Sequence, residues 1–88
     1  MDSLNFSEIE IDNLYKRIGS NVKYFRTQKG ITQLELSLEM GYRSVSLVSA
    51  AELYTNKKHF NLEHLYKISQ VLDISMCSFL EPINNIQN

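Results

Sequence analysis

Apolar residues recur along most of this chain at the three- and four-residue spacing that places them on one face of an α-helix. The clearest repeat lies between residues 12 and 29 and consists of Leu14, Ile18, Val22 and Phe25. It predicts an amphipathic first helix that runs from about Asp12, as its possible N-cap, to Lys29. Gly30 follows directly and is suited to close the helix, since glycine adopts the left-handed conformation without steric cost.

Residues 1–11 precede this helix as an acidic arm whose conformation the pattern leaves open. Phe6, Ile9 and Ile11 are compatible with a short extended segment. Ser7 and Glu10, three residues apart, are instead typical of a capping box, which would start the first helix inside the arm. The sequence is compatible with both the extended segment and the earlier start of the helix.

The second helix is predicted from its capping signals. Thr32 is a favourable N-cap, Glu35 completes a capping box three residues later, and Gly41 marks the end of the helix. A glycine at this point lets the chain turn sharply, so that the next helix crosses the second at a steep angle. Ser37, four residues before the glycine, is small enough for the two helices to approach closely. These features meet the geometric requirements of a helix-turn-helix.

The third and fourth helices are separated by a polar loop. Ser44 is expected to cap a third helix over residues 45–54, and the loop occupies residues 55–61. The fourth helix spans residues 62–72. It is predicted to turn four apolar side chains inward, namely Leu62, Leu65, Ile68 and Leu72.

A short fifth helix over residues 76–81 is predicted between Ser75, its N-cap, and Pro82, which ends it. After the arm, no alternation of apolar and polar residues predicts a β-strand. The predicted fold class is therefore all-α, a compact bundle of five short helices that contains a helix-turn-helix. This domain spans residues 12–82, and residues 83–88 form a polar tail.

Composition narrows the class of protein. Hydrophobic residues make up 43% of the 88 residues, enough for one compact core, and no apolar run is long enough to cross a bilayer. The N-terminus lacks the basic and apolar blocks of a secretory signal. The single cysteine, Cys77, cannot form an internal disulfide, which fits a cytoplasmic protein. His59 and His64 are five residues apart, a poor spacing for one helix face, so no metal site is predicted.

The net charge of −1 does not suggest that the chain binds nucleic acid, but the distribution of charge along the chain is more favourable to such binding. The first twelve residues hold four carboxylates and no basic residue, whereas the rest of the chain holds nine basic and six acidic residues, a balance of +3. Such a mildly basic body is compatible with DNA binding without demanding it. The chain has no glycine-rich phosphate loop and no nucleophile with an orienting base. It is therefore predicted not to be an enzyme, and no cofactor or small-molecule ligand is expected.

Several short segments follow one another in a specific order between residues 18 and 80. They are Ile18-Gly19, Arg26 to Ser37, Gly41, Leu62 to Ile68, Leu72 to Ser75, and Phe79-Leu80. In their order and spacing they resemble the Cro and lambda-repressor-like helix-turn-helix family, in which the third helix recognises DNA.

Two features depart from the family pattern. The family commonly closes its recognition helix with an Ile-Glu pair nine and ten residues after the turn glycine, whereas Ala51-Glu52 lies ten and eleven residues after Gly41. Either one residue is inserted near Arg43 or the glutamate is displaced. The loop between Glu52 and Leu62 is also longer than usual and lacks the usual glycine and proline.

The resemblance implies that the helix-turn-helix binds double-stranded DNA. Gln33, the first residue of the second helix, would bind a phosphate with its amide, next to Thr32 at the helix N-terminus. The start of the third helix would enter the major groove. The polar side chains expected to reach base edges there are Arg43, Ser44, Ser46 and Ser49.

Further contacts are implied on both sides of these residues. Val45 or Val48, whichever faces outward, would touch a thymine methyl group. Lys57, Lys58 and His59 in the polar loop would bind the next stretch of the DNA backbone.

The predicted function is a sequence-specific transcriptional regulator that binds a two-fold symmetric operator as a homodimer. It is expected to act as a repressor. The dimer contact is predicted from apolar residues near the C-terminus, namely Met76, Phe79, Leu80 and Ile83. The alternative is a helix-turn-helix fold that binds protein, as in an antitoxin or an accessory subunit. The low basic content and the third helix, rich in Ser, Ala and Val, favour this alternative.

Overall fold

The computed structural model describes residues 6–83, which form four α-helices joined by short turns. In chain order the helices are α1 (Glu8–Gln28), α2 (Gln33–Glu39), α3 (Ser46–Leu53) and α4 (Leu62–Leu72), with 3-10 turns at Thr55–Lys57 and Met76–Phe79. No strand occurs in this range. The predicted all-α fold is confirmed, and the predicted number of five helices is wrong.

The segment predicted as a fifth helix is the single 3-10 turn Met76–Phe79. Asp73 leaves the right-handed helical conformation, with φ of 56°, and Ser75 is extended, so the next helical segment can begin only at Met76 and ends before Leu80 after about one turn. Such short segments favour the tighter 3-10 geometry. The segment is anchored to α1 by Asn21, whose Nδ2 donates to the carbonyl oxygens of Phe79 at 2.9 Å and of Glu81 at 2.7 Å.

The first helix begins inside the acidic arm, at Glu8 rather than at Asp12. The Ser7 hydroxyl accepts a hydrogen bond from the Glu10 N–H at 3.1 Å, and the Glu10 carboxylate accepts one from the Ser7 N–H at 3.0 Å. The capping-box interpretation of the arm is therefore correct for residues 7–11. The remainder of the predicted arm, 1–5, and residues 84–88 of the predicted tail lie outside the described residues.

The core lies where the four helices and the final 3-10 turn meet. Its apolar side chains with no exposed surface are Val22, Leu36, Val48, Ala51, Ile68 and Phe79. Three of the four inward positions predicted for α4 are buried. Leu62 is the exception, with 72% of its surface exposed, because it lies in the first turn of α4 at the rim of the core.

Gly19 allows α1 to approach the backbone of α3. A Cβ atom at this position would overlap the carbonyl oxygen of Ala51 and lie 2.8 Å from that of Glu52. The closest approach of the two helices therefore falls opposite the last turn of α3, the helix expected to recognise DNA. None of the helices within residues 6–83 is long and apolar enough to cross a membrane.

Candidate nucleic-acid interface

The turn between α2 and α3 has the backbone geometry that a helix-turn-helix needs. Gly41 adopts a φ of 97°, and the Tyr42 N–H donates to the carbonyl oxygen of Ser37 at 2.9 Å. This hydrogen bond closes α2 in the manner of a Schellman motif. Val45 is the N-cap of the next helix, so α3 begins at Ser46, one residue later than predicted.

Ser44 does not occupy the N-cap position that the sequence predicted for it. The N-cap is Val45, which has no capping side chain, and the Ser44 hydroxyl accepts the Ser46 N–H at 3.3 Å from one position further back. Ser44 also donates to the Ser46 hydroxyl at 3.2 Å. Arg43 and Ser44 are both exposed in this turn. They therefore precede the helix that they were expected to open.

The outward face of α3 carries small side chains. Ser46 is exposed, and Ser49 and Ala50 are half-buried at the following positions of the same face. Leu53 ends this face with 67% of its surface exposed. Sequence reasoning missed Ala50 and Leu53, although both follow from helical spacing once Ser46 is known to be the first helical residue.

The two valines near the start of α3, Val45 and Val48, differ in their burial. Val48 has no exposed surface and belongs to the core, whereas Val45 is half-buried and remains partly accessible. Of the two candidates for an apolar contact with a base, only Val45 is accessible.

The inward face of α3 ends in a buried ion pair. Glu52 receives a bidentate interaction from Arg26, with Nε to Oε2 at 2.7 Å and Nη2 to Oε1 at 3.1 Å. The side chain of Glu52 has no exposed surface and that of Arg26 has 8%. Sequence reasoning missed this pair, since the two residues are 26 positions apart.

Two further groups join this ion pair. The third guanidinium nitrogen of Arg26, Nη1, donates to the carbonyl oxygen of Ile31 at 2.8 Å, in the link between α1 and α2. Gln33, the first residue of α2, donates from Nε2 to Glu52 Oε1 at 2.9 Å. Glu52 therefore occupies a defined buried position at the end of α3, held by donors from α1 and α2.

Thr32 acts as the N-cap of α2, as predicted. Its hydroxyl accepts the Glu35 N–H at 3.0 Å, and the Glu35 carboxylate accepts the Thr32 N–H at 2.8 Å. The backbone hydrogen bond from Thr32 lowers the pKa of Glu35 below its usual value. The Thr32 N–H is consequently engaged by Glu35, although Thr32 itself is exposed and the neighbouring Gln33 is half-buried.

The loop after α3 achieves its turn without glycine. Tyr54 and Asn56 have φ values of 57° and 52°, in the left-handed region that non-glycine residues seldom adopt. The Tyr54 hydroxyl donates to Asp12 at 2.7 Å, and Tyr15 stacks on His59 with ring centroids 3.9 Å apart. These contacts with α1 hold the longer loop in place. The hydrogen bond to Asp12 is the main reason that the pKa of Tyr54 is raised to about 12.

The two loop lysines have different surroundings. Lys57 Nζ lies 3.7 Å from carboxylate oxygens of both Glu8 and Asp12, although 60% of its side chain is exposed. Lys58 is exposed. The acidic first turns of α1 thus reduce the positive potential at Lys57, which leaves Lys58 as the more favourable loop contact for a phosphate.

A comparison with protein families identifies the family to which this helix-turn-helix belongs. A family model described as helix-turn-helix matches residues 22–79, well over half of the chain. The chain belongs to the Cro and lambda-repressor-like helix-turn-helix family. The family consists of DNA-binding domains and is generally non-enzymatic. A comparison with curated proteins found none that matches the chain.

The family match begins and ends in the core of the domain. Val22 and Phe79, its first and last residues, have no exposed surface. The match includes the turn at Gly41 and the Gln33–Glu52 contact. It leaves out the acidic first turns of α1, so the contact of these turns with Lys57 is a feature of this chain that the helix-turn-helix match does not cover.

The predicted dimer contact is only partly available at the surface. Phe79 is completely buried and packs edge-on against Phe25, with ring centroids 5.9 Å apart, so its prediction as a dimer contact is wrong. The physical reason is the short 3-10 turn, which directs this ring into the core instead of presenting it on a helix face. Leu80 has 43% of its surface exposed, and Met76 and Ile83 are half-buried.

Proposed function

We propose that this protein is a sequence-specific transcriptional regulator that acts in the cytoplasm as a repressor. In this proposal a homodimer reads the major groove of its operator with α3. The observation that carries the proposal is the outward face of α3, where Ser46, Ser49 and Ala50 present short side chains beside the exposed Arg43. A helix with short side chains can lie deep in the groove, where hydroxyl groups and methyl groups contact base edges.

Contacts to the DNA backbone are assigned to residues on either side of α3. Gln33 is half-buried at the start of α2 and keeps one amide N–H beyond the one that binds Glu52. Lys58 is exposed in the loop after α3. Such contacts position the protein on the duplex, and the base contacts supply the specificity.

The test compares Arg43→Ala with Gln33→Ala on a site selected from random DNA and on a scrambled site, at one salt concentration. Loss of a guanine contact from Arg43 should cost about 1–3 kcal/mol on the selected site and less on the scrambled one. Loss of a phosphate contact from Gln33 should cost about 1 kcal/mol on both. Equal ratios of specific to non-specific binding for the two variants would refute base reading by Arg43.

The dimer in this proposal uses the apolar surface around Leu80, with Met76 and Ile83. Leu62 adds to it, because Leu62 and Leu80 line one surface groove. Sedimentation at micromolar concentration should show a single species near 20 kDa, twice the chain mass of 10.2 kDa. A monomer that stays monomeric when DNA is added would rule the dimer out.

A second candidate function is protein binding through the same fold. It is favoured by Leu53, an apolar side chain with 67% exposure on the outward face of α3, and by the carboxylates beside Lys57. A salt titration with random DNA separates the two functions, since each phosphate contact steepens the dependence of affinity on salt. A flat dependence with weak binding would favour the protein partner.

A further inference from the structure

A single buried carboxylate connects the helix that would read bases to the side chain that would bind the backbone. Glu52 Oε1 accepts two hydrogen bonds, from Arg26 Nη2 at 3.1 Å and from Gln33 Nε2 at 2.9 Å. Its other oxygen accepts Arg26 Nε at 2.7 Å. The end of α3 and the first side chain of α2 are thus joined through the same oxygen atom.

The chemistry of this contact fixes the orientation of the Gln33 amide. An ionised carboxylate accepts hydrogen bonds and donates none, so the amide must turn its nitrogen toward Glu52. Both oxygens of Glu52 accept N–H groups from the always charged guanidinium of Arg26, which is the pairing that a carboxylate makes. The flipped amide would place oxygen against oxygen. One N–H of Gln33 is therefore committed inward, and the second N–H points away from Glu52.

We propose that Glu52 is a positioning residue for DNA binding, which aims the second N–H of Gln33 at a phosphate without touching DNA itself. This inference rests on the proposed function. A free glutamine side chain populates several rotamers, and holding it in one of them removes the entropy loss that binding would otherwise impose. Because Glu52 lies on α3, the same contact fixes the position of the Gln33 amide, which would bind the DNA backbone, relative to the outward face of α3, which would read the bases.

Arg26 supports this arrangement from α1. Its Nη1 holds the carbonyl oxygen of Ile31 at 2.8 Å, just before the cap of α2, while its other two nitrogens hold Glu52. The backbone that carries Gln33 and the carboxylate that orients its amide are thus fixed to one guanidinium.

The test is a double-mutant cycle measured as DNA affinity. The background is Arg26→Met with Glu52→Met, which removes both buried charges together and so avoids leaving one unpaired. Gln33→Ala should weaken binding about fivefold in the wild-type chain, the worth of one hydrogen bond. In the paired-methionine background it should weaken binding less than about twofold, because the amide is no longer held.

Lys58→Ala is the matched control, since Lys58 is another proposed backbone contact, is exposed, and takes no part in the hydrogen bonds of the Glu52 network. It should cost the same in both backgrounds. An equal cost of Gln33→Ala in both backgrounds, or no cost in the wild-type chain, would overturn the positioning role. If the wild-type chain binds no DNA at all, the proposed function itself fails, which is a different outcome.

A second measurement on the unaltered chain does not depend on the fold of the variant. In a ¹H–¹⁵N spectrum, one side-chain amide proton of Gln33, assigned by its loss in Gln33→Ala, should be protected from exchange. Addition of DNA should then shift mainly the other proton of the same amide. Two unprotected protons that respond equally to DNA would overturn the inference.

Discussion

Replacing Ser37 with alanine should stabilise the protein, although Ser37 is a completely buried residue of α2. Its hydroxyl oxygen has no hydrogen-bond partner among residues 6–83. Because Ser37 has no exposed surface, a larger side chain at this position would have to displace its neighbours. Alanine keeps the small size and removes the unpaired hydroxyl.

The expected gain follows from two contributions. A buried polar group without a partner costs about 1–3 kcal/mol in lost hydration. Alanine also has the higher helix propensity, by about half a kcal/mol. Removal of one oxygen atom forfeits some packing, which offsets part of the gain. We therefore expect Ser37→Ala to raise the free energy of unfolding by about 1 kcal/mol.

Ser69 provides a matched control in α4. It is also buried, at 5% exposure, but its hydroxyl donates to the carbonyl oxygen of Tyr66 at 2.6 Å. Ser69→Ala should lose about 0.5–1 kcal/mol, since a satisfied hydrogen bond disappears. Urea unfolding followed by circular dichroism measures both variants, with an unchanged m-value as the sign of an unchanged fold. A destabilised Ser37→Ala variant with an unchanged m-value would refute the reasoning.

Three further predictions concern α1 and its contacts. Gly19→Ala should destabilise the protein by about 1–3 kcal/mol because its methyl group meets the α3 backbone, whereas Gly30→Ala, with φ of 71° and open space, should cost about 1 kcal/mol in urea unfolding. Asp12→Asn should lower the pKa of Tyr54 from about 12, so that an alkaline absorbance titration detects earlier ionisation of one tyrosine; an unchanged titration would contradict the hydrogen bond. Glu8→Gln should bind DNA as tightly as wild type or more tightly, since it removes a carboxylate from beside a loop lysine, and weaker binding in a filter or anisotropy assay would contradict this.

The features that the sequence predicted well are those encoded by neighbouring residues. The capping box of Thr32 and Glu35 starts α2 as expected, and Gly41 takes the positive φ that its turn requires. The helix over residues 62–72 has the predicted bounds. Each of these depends on hydrogen bonds or backbone preferences within about four residues, so the local sequence contains the information.

The choice between local alternatives depended on the rest of the fold. Ser7 and Asp12 were both acceptable starts for α1. The helix begins after Ser7, and Asp12 is instead engaged by Tyr54, 42 residues further along. In the same way, Val45 and Val48 were equivalent on a sequence basis until the start of α3 at Ser46 placed Val48 in the core.

The sequence by itself determined the helical class, the helix-turn-helix and its family, because periodicity, caps and turn residues act over short distances. The tertiary structure alone decided that Phe79 is buried and that Glu52 joins Arg26 and Gln33. Burial and pairing of these side chains depend on helices brought together from distant parts of the chain. No spacing along the sequence specifies which oxygen of a glutamate will receive which donor, since that is settled only when the helices pack.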